Sequence, residues 1–178
     1  MTTNDVGVVK GEAPKPWYAA YPVQRSTAST ITRGTLLSWM KKGKVAGKDF
    51  VLVDLRRTDF EGGTIRGSIN LSAQSLYPTI PSLYTLFSTA GIATVIWYCG
   101  ILQAAPRSTS QTEWWLGSSR GRGSRAAGWF ADYIQDQNDG RMESYALEEG
   151  IMGWATAGEE YVEMMDEYNA SVWEGKSK

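Results

Sequence analysis

The chain has 178 residues, 42% hydrophobic and 21% charged, the length and apolar content of one globular domain rather than two. Eighteen basic and nineteen acidic residues leave a net charge of −1, so no overall field favours nucleic acid or an anionic membrane. One cysteine, Cys99, and no histidine exclude an internal disulfide, a histidine-containing zinc site and imidazole catalysis. No metal is predicted. No run approaches the roughly 18 apolar residues of a membrane span, and the N-terminus lacks an apolar core of signal-peptide length. These features predict a cytoplasmic protein, with the nucleus also open to it, whose lone thiol is kept reduced.

Residues 1–24 carry Gly7, Gly11, Pro14, Pro16 and Pro22 without periodicity, which predicts an irregular arm pinned by Trp17, Tyr18 and Tyr21. One domain is expected over 25–172, with a short tail at 173–178. Ser29 or Thr32 can N-cap a helix through Leu36, Leu37, Trp39 and Met40 that stops at Lys41, Lys42 and Gly43. The runs Phe50–Leu55 and Thr94–Cys99 are apolar at odd and even positions alike, as strands buried on both faces of a parallel sheet are. A brief strand is expected at Ser68–Leu71 and a helix at Pro81–Gly91, with proline at its start and glycine at its end. Ala126, Trp129, Phe130, Tyr133 and Ile134 fall at helical spacing. SYALEEG then offers a strand, and EEYVEMMDEY a closing acidic helix. Strands alternating with helices predict an α/β domain with a mainly parallel sheet.

In open parallel sheets ligands sit beyond the carboxyl ends of the strands, and Cys99 ends one. The downstream segment Ser118, Ser119, Arg120, Gly121, Arg122, Gly123, Ser124, Arg125 combines small residues with three guanidinium groups, a phosphate-cradle composition that opens a helix. A helix N-terminus there is expected to depress the thiol pKa. The alternative is an inert buried thiol beside a solvated loop. Asp54 closes the neighbouring strand, and Leu147–Trp154 has the glycine punctuation of a tight turn beneath the cysteine. Trp97, Tyr98 and Trp129 read as core rather than as a substrate platform.

These pieces resemble the rhodanese family: Asp54-Leu55-Arg56 at a strand end, then Gly62-Gly63-Thr64-Ile65-Arg66-Gly67-Ser68-Ile69-Asn70, then a strand ending in Cys99, then Leu147–Trp154. The order spans about residues 30–170. It implies a three-layer domain with helices on both faces of a mainly parallel sheet. Thr64 departs from the family's usual histidine, Tyr98 from the histidine before its cysteine, and Glu149 from its glycine. Cys99-Gly100 reaches Ser118-Ser119-Arg120-Gly121-Arg122 only after the 17 residues 101–117. Without them the loop reads Cys, five residues, Arg, as in M-phase inducer phosphatases and rhodanese-fold arsenate reductases.

By this resemblance Cys99 is the nucleophile and Arg122 the oxyanion clamp, with Gly100, Ser118, Ser119, Arg120, Gly121 and Gly123 forming the anion-binding loop and Asp54 supporting it. Ser119 would hydrogen-bond the leaving thiolate. The acid that protonates a leaving oxygen has no clear match, Glu148 and Glu149 being candidates by motif proximity. The implied activity is that of a cysteine-dependent phosphatase or arsenate reductase. Its substrate would be a small oxyanion or a phosphoprotein, with no bound cofactor, and with glutathione or glutaredoxin as reductant for arsenate. A thiosulfate sulfurtransferase and an inactive rhodanese-like binding module are the alternatives.

Residues 101–117 are read as a translated intron. They correspond to 51 nucleotides in frame, and the flanking glycine codons permit a GT donor and a TAG acceptor, with a CTGA branch sequence encodable at Thr112-Glu113. A surface insertion anchored by Trp114 and Trp115 is the competing reading, tolerable to the fold because loop-closure entropy grows slowly with length. Catalysis is expected to suffer, since an anion cradle needs its amides placed within a fraction of an ångström or so.

Overall fold

A computed structural model describes residues 15–100 and 121–176. In chain order its strands are β1 (Ser29–Ile31), β2 (Val51–Asp54), β3 (Thr64–Ile65), β4 (Ile69–Asn70), β5 (Thr94–Tyr98), β6 (Glu143–Leu147) and β7 (Met165–Asp166). The helices are α1 (Arg33–Lys41), α2 (Ala73–Thr89), α3 (Gly121–Asp136), α4 (Gly150–Ala155), α5 (Glu159–Val162) and α6 (Ala170–Trp173). Five strands form one sheet in the order β1-β6-β5-β2-β4, parallel at every pairing, while β3 and β7 make a separate antiparallel pair.

The doubly apolar strands do what their pattern predicts. Val51, Val53, Val95 and Trp97 face α2 and α3, where they join Leu76, Phe87, Ala127 and Phe130 in one core. Their neighbours Leu52, Ile96 and Tyr98 face the other way and pack with Leu36 and Leu37 of α1 and Ile151 and Trp154 of α4. Alternation along a strand thus sends successive residues into two cores, one on each side of the sheet. Thr32 caps α1 by accepting from the Thr35 N–H at 3.1 Å, as its position predicts.

Four expectations need correction. α2 begins at Ala73 instead of Pro81, and both Pro78 and Pro81 lie inside it. Proline at 78 has no N–H to offer the Gln74 carbonyl, but the Tyr21 hydroxyl donates to that oxygen at 3.3 Å and the Tyr21 ring stacks on Tyr77. The arm therefore supplies the helix with a partner it lacks internally. Trp129 donates its indole N–H to the Pro22 carbonyl at 2.7 Å, and Asp132 accepts from the Arg25 and Ser26 N–H groups at 2.8 Å each, so the arm is fastened to α3 as well.

The closing helix is shorter than its composition suggests, ending at Val162, because Met165 and Asp166 pair with Ile65 and Thr64 as β7. Gly63 permits this approach: at φ +93°, a Cβ there would lie 2.6 Å from the Asp166 carbonyl oxygen. Trp173 is no part of a tail; it is buried, and its indole donates to the Gly62 carbonyl at 2.7 Å. Ser29 belongs to an edge strand and not to a helix cap.

Candidate active site

β5 delivers Cys99 to the carboxyl edge of the sheet, and two neighbours hold it there. The Leu55 N–H donates to the Tyr98 carbonyl at 2.8 Å, and the Ile151 N–H to the Cys99 carbonyl at 3.1 Å. The turn at Glu149-Gly150 makes the second contact possible: both residues are left-handed, at φ 59° and 56°, and a Cβ on Gly150 would stand 2.3 Å from the Cys99 oxygen. Glu149 adopts the conformation that glycine takes without strain, and its carboxylate pairs with Arg33.

The first turn of α3 closes on the same point. The Gly123 N–H bonds the Cys99 sulfur, and Gly123 packs close to the Trp97 carbonyl, where a Cβ would come within 3.4 Å. Arg122 is buried, with its guanidinium beside Cys99, and Nη2 donates to the Gly100 carbonyl at 3.4 Å. Gly121 opens the helix and accepts from Arg125 Nη1 at 3.1 Å, while the Arg125 guanidinium lies 3.7 Å from the centre of the Tyr18 ring. Cys99, Gly100, Gly121, Arg122 and Gly123 are thus brought together although twenty residues separate Gly100 from Gly121. Ser118, Ser119 and Arg120, and the segment 101–117, lie outside the described residues.

A carboxylate that sequence reasoning passed over completes the cluster. Asp59 meets Arg122 end-on, with Nη1 to Oδ1 at 3.0 Å and Nη2 to Oδ2 at 2.5 Å. It sits in the loop after β2, which neighbours β5, so the rule that ligands collect beyond strand ends pointed to this loop. The proposed acids have other partners: Glu148 accepts from Thr30 at 2.9 Å, and Glu149 is held by Arg33.

Asp54 is buried under this loop. Arg56 donates to it from Nε at 3.0 Å to each oxygen and from Nη2 at 2.7 Å, then reaches on to the Glu61 and Gly63 carbonyls at 2.7 and 2.6 Å. One guanidinium therefore ties the strand end to Glu61 and to the second glycine of the Gly62-Gly63 pair. The two departures from the family's histidines meet each other: the Thr64 and Tyr98 hydroxyls are 2.7 Å apart, Thr64 donates to Asp54 at 2.9 Å, and Tyr98 donates to Ser68 at 2.7 Å. Burial, reinforced by the Asp54 carboxylate, raises the Tyr98 pKa well above the ordinary phenol range, so it stays a neutral hydroxyl.

Burial also raises the Cys99 thiol above the ordinary cysteine value, with the Asp59 and Asp54 carboxylates acting the same way. Arg122 and the Gly123 N–H oppose this without overcoming it. The direction is opposite to the depression expected from a helix N-terminus: desolvation disfavours a thiolate more than the helix end favours it. Asp59 shows the reverse balance. Burial disfavours its charge, but Arg122 and the Arg57 N–H hold its pKa below the usual aspartate value. Alkylation of Cys99 by iodoacetamide is accordingly expected to rise along a pH profile centred above that of an exposed cysteine. A midpoint below it, found on the folded chain, contradicts this balance.

Trp97, Tyr98 and Trp129 are all buried, as core residues. Among the described residues, no group of three or more His, Cys, Asp or Glu could hold a metal ion, and no helix is long and apolar enough to cross a membrane.

The parallel five-stranded sheet, helices on both faces and a cysteine at the end of the central strand define a rhodanese-like fold. Among solved structures, the chain is similar to Ygr203w, a yeast protein tyrosine phosphatase of the rhodanese family. They share 19% identity over 83% of this chain and 98% of that one, with a TM-score of 0.60. A second structure of the Saccharomyces cerevisiae protein, described as a homolog of single-domain rhodanese and the Cdc25 phosphatase catalytic domain, gives 0.61 at 20% identity, over 85% and 95% of the two chains. The As-Sb reductase from Leishmania major gives 0.52 at 16% identity, over 69% and 73%. At these identities the likeness establishes the fold. No family model and no curated protein matches the sequence.

Proposed function

We propose that the chain is a cysteine-dependent enzyme acting on a tetrahedral oxyanion, as a phosphatase or an arsenate reductase. The observation that supports this most is the convergence of the Arg122 guanidinium and the Gly123 N–H on Cys99. A sulfur nucleophile at the mouth of a helix N-terminus, with a fork of N–H donors beside it, is the minimum needed to attack and hold such a centre.

In phosphate-ester hydrolysis the Cys99 thiolate attacks phosphorus, the S–P bond forming as the bond to the leaving oxygen breaks. Arg122 and the N–H groups at the start of α3 hold the non-bridging oxygens. Water then cleaves the S–P bond, giving inorganic phosphate and the thiolate again. With arsenate, sulfur displaces a hydroxyl from As(V), and a glutathione thiol attacks the sulfur of the adduct. Two electrons pass to arsenic, arsenite leaves, and a Cys99–glutathione disulfide remains for glutathione or glutaredoxin to reduce. One cysteine suffices because the second thiol is borrowed. Asp54 acts indirectly, by fixing Arg56 and the loop that carries Asp59. The substrate is a small oxyanion or a phosphoprotein, and a reducing cytoplasmic or nuclear setting fits the lone thiol.

A second reading, a rhodanese-like binding module without turnover, is favoured by the raised thiol pKa. The two are separated by assaying the full chain and a form lacking residues 101–117 for aryl phosphate hydrolysis, for arsenate reduction with glutathione, and for thiocyanate formation from thiosulfate and cyanide. The shortened form is expected to be active on phosphate or arsenate. Cys99→Ser should abolish this by at least about 10³-fold and Arg122→Lys should reduce it by about 10²-fold or more. A shortened form without activity, or a Cys99→Ser variant that keeps it, refutes the enzyme reading. Thiocyanate formation alone would make the chain a sulfurtransferase.

A further inference from the structure

Arg122, whose guanidinium lies beside Cys99, does not wait with an empty fork: both of its Nη groups are taken by the two oxygens of Asp59. We infer that Asp59 is an internal competitor for the oxyanion clamp, a resident carboxylate that an incoming anion must displace, which makes the site selective for oxyanions carrying two negative charges. This rests on the reading of Arg122 as the clamp and adds to it what decides which anions enter.

The geometry of the pair is that of an Arg–carboxylate fork, the same two-donor arrangement that Arg122 would offer a phosphate or arsenate. The two partners are not equally anchored. The Arg122 side chain is 9% exposed and the Asp59 side chain 32%, so the carboxylate stands at the solvent side of the pair. Asp59 also keeps a second donor when it leaves: the Arg57 N–H bonds its Oδ1 at 3.0 Å within its own loop. Release therefore leaves a partly hydrated, still hydrogen-bonded carboxylate. Arg122, by contrast, would be left as a buried charge with the Gly100 carbonyl and Cys99 as its neighbours among the described residues, which is costly unless another anion takes the place of Asp59. The event is an exchange, not an opening.

The neighbourhood is arranged around the resident group. Arg56 fixes the loop on both sides of Asp59 through the Asp54 carboxylate and the Glu61 and Gly63 carbonyls, so the carboxylate can give way without the loop being released. Gly100 lacks a side chain where one would meet Asp59, since a Cβ there would be 2.9 Å from Oδ2. A monoanion such as acetate offers Arg122 nothing that Asp59 does not already supply. A dianion with three oxygens offers more charge and further acceptors for the helix N-terminus, so the resident carboxylate sets a threshold that favours it.

The test measures binding of inorganic phosphate to the full chain by calorimetry, with protection of Cys99 from iodoacetamide as a second readout, for the native protein, Asp59→Asn and Arg122→Lys. Asp59→Asn is expected to tighten phosphate by about tenfold or more and to let acetate protect Cys99 as well, because the competitor has lost its charge. Arg122→Lys should lose phosphate binding. Unchanged or weaker phosphate binding in a folded Asp59→Asn variant overturns the proposal and makes Asp59 a positioning residue for Arg122. If native protein and Asp59→Asn both fail to bind phosphate, with residues 101–117 present and with them removed, or Arg122→Lys still binds it, the clamp reading itself is at fault and the proposal falls with it.

Discussion

An Arg56→Ala variant is expected to lose about 3–5 kcal/mol of stability, a large share of what a domain of this size has in reserve. Asp54 is fully buried and Arg56 is 1% exposed, so removing the guanidinium leaves a carboxylate with no water to turn to. Three side-chain donations to Asp54 vanish, and with them the bonds to the Glu61 and Gly63 carbonyls. The Phe60 ring also loses the guanidinium 4.6 Å from its centre. Arg56→Lys is expected to recover little, because one ammonium cannot span a carboxylate and two carbonyls. Urea denaturation reads the loss as a fall in midpoint at constant slope. A loss below about 1 kcal/mol would mean that the pair contributes no more than an exposed one.

Gly150→Ala has the next largest expected effect, and it acts on the site as well as on the fold. The new methyl group must avoid an oxygen 2.3 Å away, and the residue must hold φ at 56°, so the Cys99 carbonyl shifts and the Ile151 bond to it weakens. Strain and displacement together are expected to cost about 2–4 kcal/mol. Because that carbonyl belongs to the proposed nucleophile, the shortened chain should also lose activity, by about 10²-fold for a shift near 1 Å. Glu149→Gly is the control, since position 149 is already left-handed and a glycine there relieves strain without approaching Cys99. Equal activity in Gly150→Ala and the unmodified chain would separate the turn from the chemistry.

What the sequence made legible follows from how local each signal is. The strand-to-cysteine run, the α1 cap at Thr32 and the helix after Arg122 rest on patterns within a few residues, and they stand where those patterns put them. The start of α2 was illegible because the group that compensates for Pro78 is Tyr21, more than fifty residues earlier. The pairing of β3 with β7 rests on Gly63 meeting Asp166, about a hundred residues apart, and two-residue strands carry no periodicity of their own. In the site, Cys99 and Arg122 were marked by a motif. Asp59 was not, because its meaning lies in what it touches, and neither its spacing nor its neighbours in the chain announce Arg122.

The parallel partnership of β1 with β6 has a kinetic side. Ser29 pairs with Tyr145, so the edge of the sheet forms only after a loop of more than a hundred residues has closed. Such a fold is expected to assemble slowly, its rate set by the search for distant partners. Removing seventeen residues from within that loop changes its closure entropy by only about 0.1 kcal/mol. Refolding rates of the long and short chains should therefore nearly coincide, so a gain of turnover in the short chain could not be mistaken for a gain in folding.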